Sequence, residues 1–222
     1  KNGKDRTEAY ISEVELWEYH ILPFKKAIDS GASSIMINSG SVNGIPIHGS
    51  NYFLTEILKN KLNFKGLIVT DWQDIIRLHT RHKIAETPKE AVRIAINAGI
   101  DMSMVPNEYS FYDLLLGLVN EGKVTEDRIN ESVRKILKLK SNLGLFENPF
   151  VENLDSLKID TNLHREIALN SARESITLLK NQNNILPISK DENILVIGPG
   201  SNSVASLCGS WSFTWQGNKE NE

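Results

Sequence analysis

One cysteine, Cys208, is all the thiol chemistry in the sequence, which excludes an internal disulfide framework and any metal site built on several thiolates. A lone cysteine in an apolar segment reads as a packing residue. No apolar run approaches the ~18 residues of a membrane span, and no membrane partner is expected. An excess of charge is missing as well. With 25 Lys and Arg against 28 Asp and Glu, a net charge of −3 and basic residues scattered along the chain, no electrostatic footprint for nucleic acid or anionic lipid is present. The first residue is Lys1, inside what reads as a polar loop, and the last residues are "NKENE", so both ends read as cuts.

What remains is ordinary for a soluble chain: 222 residues, 40% hydrophobic and 24% charged, enough for one large domain or one and a fraction. Ser12 and Glu15 form a capping box before a helical pattern through Trp17 and His20, which Pro23 breaks or restarts and Gly31 ends. "SSIMINS", Ser33 to Ser39, reads as a buried strand and "GSVNGIPIHGS" as a turn-rich loop. Ser50 is placed to cap a helix through Phe53, Leu54, Ile57 and Leu58, and "FKGLIVTDWQDI" supplies the next strand. Thr87 to Glu90 make a second capping box with Pro88 at the first helical position, and Gly99 supplies the stop. Ile100 to Val105 is the third strand. Helices follow at about 108–121 and 125–142, the second with Ile129, Val133, Ile136, Leu137 and Leu139 on its apolar face.

Helices alternating with strands apolar throughout argue for a parallel sheet covered by helices, an α/β fold. The rhythm changes after residue 146: residues 147–162 read as a linker, and 163–222 as the beginning of a second α/β unit. There a helix near His164 to Arg173 precedes the apolar run "SITLLKN" and the strand "NILVIGPG".

Asp71 stands at the carboxyl end of its strand, where ligands meet parallel α/β sheets. A site role, an N-cap for the following helix and a loop-fixing hydrogen bond all remain open for it. Asp101 opens its strand and reads as structural. Trp72 fits either the core or a flat platform for the apolar face of a sugar. His48, His79 and His82 lack metal-site spacing and read as loop or supporting histidines, so neither metal nor cofactor is expected. "VIGPGSNS" is a weak match to a dinucleotide loop, with Ser203 at the third glycine position, and reads as a strand-to-helix turn. Trp211 and Trp215 in "CGSWSFTWQG" sit in poor helix-forming sequence and read as loop aromatics, suited to binding carbohydrate or to anchoring the core.

Taken in order, "MINSGSVNGIPIHGSNYFLTEILKNKLNFKGLIVTDWQDI", "AINAGIDMSM", "GKVTEDRINESVRKILKLKSNLGLF", "SARESITLLKN" and "CGSWSFTWQG" resemble the β-glucosidase branch of glycoside hydrolase family 3 over nearly the whole chain. The resemblance implies the C-terminal part of a (β/α)8-like TIM barrel over 1–146, followed by the start of an α/β sandwich. It implies a retaining glycosidase acting on an oligosaccharide or glycoside, with Asp71 as nucleophile, and it favours export. Trp72 and Trp215 correspond to the two jaws of an acceptor-sugar clamp, and Trp211 lines the same loop. Met36 and Ser39 bracket the segment where many members read Met-x-x-Tyr or Met-x-x-Phe, so a small hydroxyl replaces an aromatic beside the nucleophile. The family's Lys-His pair lies just before "GKDRT", and its acid/base glutamate lies well beyond the tryptophan loop, so neither falls on a residue here. Little turnover is therefore expected of these 222 residues alone. The rival reading is a non-catalytic binding module, using Gly198 to Ser203 for phosphate or the tryptophan loop for a glycan.

Overall fold

Helices, several of them started on a capping side chain, alternate with short apolar strands through the first part of the protein. The structure, a computed structural model, describes residues 6–150, 161–211 and 214–215. It divides into two units, 1–152 and 153–222, and each is taken by itself. The linker expected over 147–162 lies mostly outside the described residues.

In the first unit β1 (Glu8–Ala9) precedes a long helix, α1 (13–29). Ser12 caps it by accepting the Glu15 N–H at 3.2 Å. Pro23 does not break this helix. The turn before it, Leu16–Ile21, is wound wider, as a π-helix, and the α-helix resumes over Leu22–Asp29 with the proline in its first turn. Wider winding accommodates a residue that has no N–H for the usual i→i−4 bond.

The strand β2 (Ser34–Met36) is followed by a small hairpin, β3 (Ser41–Val42) with β4 (Ile45–Pro46), and by a 3-10 turn at Ile47–Gly49. Next comes the π-wound helix α2 (Tyr52–Lys61), with Leu54, Ile57 and Leu58 buried on the predicted face and Ser50 Oγ accepting the Phe53 N–H. Then come β5 (Leu67–Val69), α3 (Asp74–Thr80), α4 (Pro88–Ala98), α5 (Ser110–Asn120) and α6 (Glu126–Asn142). Thr87 caps α4, and Gly99, at φ +129°, ends it in a backbone conformation open to glycine.

β2 pairs in parallel with β5, matching Ile35 to Ile68 and Met36 to Val69. Beyond β5 the predicted third strand is reduced to a parallel bridge between Val69 and Met102. The pairing is carried partly by a side chain: Ile68 N–H donates to Asp101 Oδ2 at 3.1 Å, while its carbonyl accepts from the Asp101 and Met102 N–H groups. Ile68, Leu78, Ala91, Ala95, Ile100 and Leu118 form the centre of the core between this sheet and α3 to α5.

The apolar stripe expected of α6 carries only part of its docking, because Val133 and Leu137 are exposed. Its buried residue is Ser132, whose hydroxyl donates to Asp101 Oδ1 at 2.8 Å. Arg128 and Lys135, one turn on either side, reach the same carboxylate at 3.3 and 3.0 Å. The Asp101 side chain is wholly enclosed.

In the second unit α7 (Asn162–Ser175) matches the predicted helix, and α8 (Val204–Cys208) is a short turn capped by Ser203. Among the described residues neither "SITLLKN" nor "NILVIGPG" forms a strand, and Leu179, Leu195 and Ile197 are exposed. A strand needs a partner ladder, and among the described residues of 161–215 none is supplied. Cys208 is exposed rather than packed, on a helix too short to bury it.

The Asp101 cluster generates a stability prediction. Asp101→Ala leaves Arg128 and Lys135 with only the half-exposed Glu131, takes the acceptor from the Ile68 N–H, and is expected to cost about 3–5 kcal/mol. A fall in the urea midpoint is the readout; an unchanged midpoint would show that α6 docks without it.

Candidate active site

Val69 is the last residue of β5, and the chain leaves it through a turn fixed on both sides. The buried Thr70 donates its N–H to the Met102 carbonyl at 3.0 Å and accepts the Met104 N–H on Oγ1 at 2.8 Å. Gln73 donates to the Met104 carbonyl at 3.0 Å and takes a left-handed conformation, φ +60°, that redirects the chain into α3. Between these two anchors Asp71 leaves the core at the carboxyl end of the strand.

Asp71 does not cap α3. That helix starts at Asp74 on Gln73, without a capping side chain. Instead its Oδ2 accepts the Ser39 hydroxyl at 2.7 Å, and its Oδ1 accepts the Trp72 N–H at 2.5 Å. Arg6 Nη2 lies 3.8 Å from Oδ2. The side chain keeps 31% of its surface open. Partial burial pulls the carboxyl upward, but the Ser39 hydroxyl, the Trp72 N–H and the charges of Arg6 and His48 outweigh it and hold it below the usual aspartate value. The group is an anion at neutral pH with one face free, which suits attack on an electrophile.

Ser39 is buried, with its hydroxyl committed to Asp71 rather than presented to a ligand. The preceding Asn38 accepts the Gly40 N–H at 2.8 Å, an Asx turn that aims this loop at the acid. Met36, level with Val69 in the sheet register, is 55% exposed, and Trp72 is 48% exposed, which sets aside the core reading of that tryptophan. In the second unit Trp211 and Trp215 are both exposed in a turn where the Trp211 N–H reaches the carbonyls of Thr214 and Trp215.

Arg6, His48 and Asp74 are site neighbours that sequence reasoning did not bring to Asp71. Arg6 lies in a polar loop far away in the chain, and nothing local marks its partner. His48 occupies the buried 3-10 turn, with Nε2 3.4 Å from the Asp71 N–H. Its Nδ1 is 3.7 Å from Asp74 Oδ2. A histidine buried in a turn between Pro46 and Gly49 was the available signal. Among the described residues no group of three or more His, Cys, Asp or Glu side chains gathers as a metal site would.

Residues 1–139 match the family described as Glycosyl hydrolase family 3 N terminal domain. The lysosomal beta glucosidase of Dictyostelium discoideum is 49% identical over 97% of this chain, which covers 27% of that protein. The periplasmic beta-glucosidase of Salmonella typhimurium is 37% identical over 96% of this chain, which covers 28% of it. Among solved structures, the exo-1,3/1,4-beta-glucanase of a Pseudoalteromonas species superposes with a TM-score of 0.78 at 33% identity, over 99% of this chain and 27% of that one. The chain thus spans little more than a quarter of the length of these relatives. With the match extending over more than half of its residues, the chain belongs to glycosyl hydrolase family 3.

Proposed function

We propose that this chain supplies the nucleophile of a retaining β-glycosidase that releases terminal β-glucosyl, or related β-glycosyl, residues from oligosaccharides or glycosides. The observation that carries the reading is the Asp71 carboxylate, ionised, held by two neutral donors and open on one face at a strand end. The β-glucosidase relatives support the substrate class. The barrel and sandwich architecture of the family is proposed with it, on the parallel pairing of β2, β5 and Met102. An exported or lysosomal location is supported by the names of the same relatives.

In the first step an Asp71 oxygen bonds to the anomeric carbon as the glycosidic C–O bond breaks. The departing oxygen takes a proton from a second carboxyl group, proposed to lie outside these 222 residues. Water then splits the ester from the same side that the leaving group vacated, returning its proton to that second group, so the two inversions retain configuration. Ser39 and the Trp72 N–H orient the carboxylate through this cycle. Trp72 offers its exposed ring to the sugar beyond the cleaved bond, Met36 offers apolar contact near the nucleophile, and Trp211 and Trp215 are proposed as stacking residues of the second unit.

The phosphate-binding alternative finds less support. The helix after "VIGPGSNS" has five residues, and Ser203 already caps its Ser206 N–H at 3.1 Å.

The assignment is tested in the full-length protein with Asp71→Gly, which is expected to be inactive on an aryl β-glucoside and to recover activity with azide. The expected product is the α-glycosyl azide, because azide fills the space on the nucleophile's face; the β-azide would mean that Asp71 is the acid/base instead. A second expectation concerns Ser39→Ala. Loss of a hydrogen bond to an anion costs about 1.5–3 kcal/mol, so kcat should fall about 10- to 100-fold with KM little changed. The lost donor stabilised the ionised form, so the acidic limb of the kcat profile should move to higher pH. A limb that stays in place would show that Ser39 does not act on Asp71.

A further inference from the structure

The backbone of Asp71 is held as deliberately as its carboxylate. We propose that His48 is a positioning residue for the nucleophile, accepting the Asp71 N–H on Nε2 and turning its own Nδ1–H toward Asp74. This rests on the reading of Asp71 as the nucleophile and adds a residue to which no role in that reaction has been given.

The placement is built into the local packing. His48 and the Asp74 side chain are almost completely enclosed, at 4% and 3% side-chain exposure. The turn that carries His48 lies directly on the next helical layer. A Cβ at Gly49 would meet Ile84 Cδ1 at 3.0 Å and Ile94 Cγ2 at 3.1 Å, so that residue is small because the two segments touch. An imidazole wedged there cannot swing away without opening the core.

Its two partners fix its tautomer. A main-chain N–H only donates, so Nε2 at 3.4 Å must be the unprotonated nitrogen. The ring proton then sits on Nδ1, facing Asp74 Oδ2 across 3.7 Å. The other Asp74 oxygen accepts from Arg77 Nη1 at 2.6 Å, while Oδ2 has no hydrogen-bond partner among the described residues. A chain of contacts therefore runs from Arg77 through Asp74 and His48 to the backbone of Asp71. It acts on the main chain, whereas Ser39 acts on the carboxylate. A shift of about 1 Å in a reacting group costs on the order of 100-fold in rate, which is the scale on which such a brace matters.

The groups that face the ring decide its behaviour with pH. Burial disfavours the imidazolium most; Asp74 and Asp71 favour it, and His82 and Arg77 oppose it, leaving His48 at about 4. Above that value the ring is neutral and the brace is intact. As pH falls through it, Nε2 gains a proton and confronts the Asp71 N–H as donor against donor.

The test uses the full-length protein and two variants. His48→Leu removes the acceptor and is expected to lower kcat by about 100-fold with KM within about twofold. His48→Gln keeps a carbonyl acceptor of similar reach without a titrating ring. It should recover most of the rate, to within about tenfold of wild type, because an acceptor again faces the Asp71 N–H. Wild-type kcat in His48→Leu, or a kcat in His48→Gln no higher than in His48→Leu, would overturn the proposal. If His48→Leu does not fold, His48→Asn takes its place, since its amide reaches the Nδ1 position and not that of Nε2, and should show the same loss of kcat against His48→Gln. Failure of the nucleophile reading is separate: it shows as β-azide, or no rescue, from Asp71→Gly in a protein whose His48 is intact.

Discussion

The geometry of the first unit depends on one buried carboxylate. Asp101 stands where a regular parallel strand would begin, and its Oδ2 takes the N–H of Ile68, the central residue of β5. The same group gathers Arg128, Ser132 and Lys135 of α6. One anion therefore ties the central strand, the segment beside it and the outer helix together. An enclosed carboxylate repays its desolvation only when every lone pair is used, and here five donor groups do so. Because β5 is pinned at Ile68, the turn that leaves its end, from Thr70 to Gln73, starts from a fixed point.

Asp71 is the opposite case. It has two neutral donors, a single guanidinium at a longer distance and an open face. Asp101 is neutralised by two cations in a closed site and has no capacity left for a ligand. Asp71 is kept ionised without being neutralised, which leaves its charge available. The two residues share a chemistry and differ in their surroundings, and the surroundings separate a structural acid from a reactive one.

Local signals in the sequence are dependable where the physics is local. The capping residues Ser12, Ser50 and Thr87 sit where a side-chain oxygen meets an N–H three residues on, and each does so in the structure. Asp71 at a strand end is legible as an apolar run closing on an acid. The third strand cannot be resolved in the same way, because its pairing runs through the Asp101 side chain rather than a continuous ladder. Pro23 reads as a break or restart because a helix of fixed pitch cannot absorb it, whereas a widened turn can. The sequence pattern assigns the docking of α6 to its apolar stripe, although its buried centre is ionic. Arg6 and Asp74 join the site through contacts that no spacing in the sequence announces.

Asp71 as nucleophile is the central claim, and covalent capture tests it most directly. The full-length protein is incubated with a 2-deoxy-2-fluoro β-glucoside carrying a good leaving group, digested, and its peptides are mapped by mass spectrometry. The label is expected on the peptide containing "IVTDWQD", at Asp71, and absent in Asp71→Asn. A fluoroglucosyl ester on any other carboxylate would contradict it.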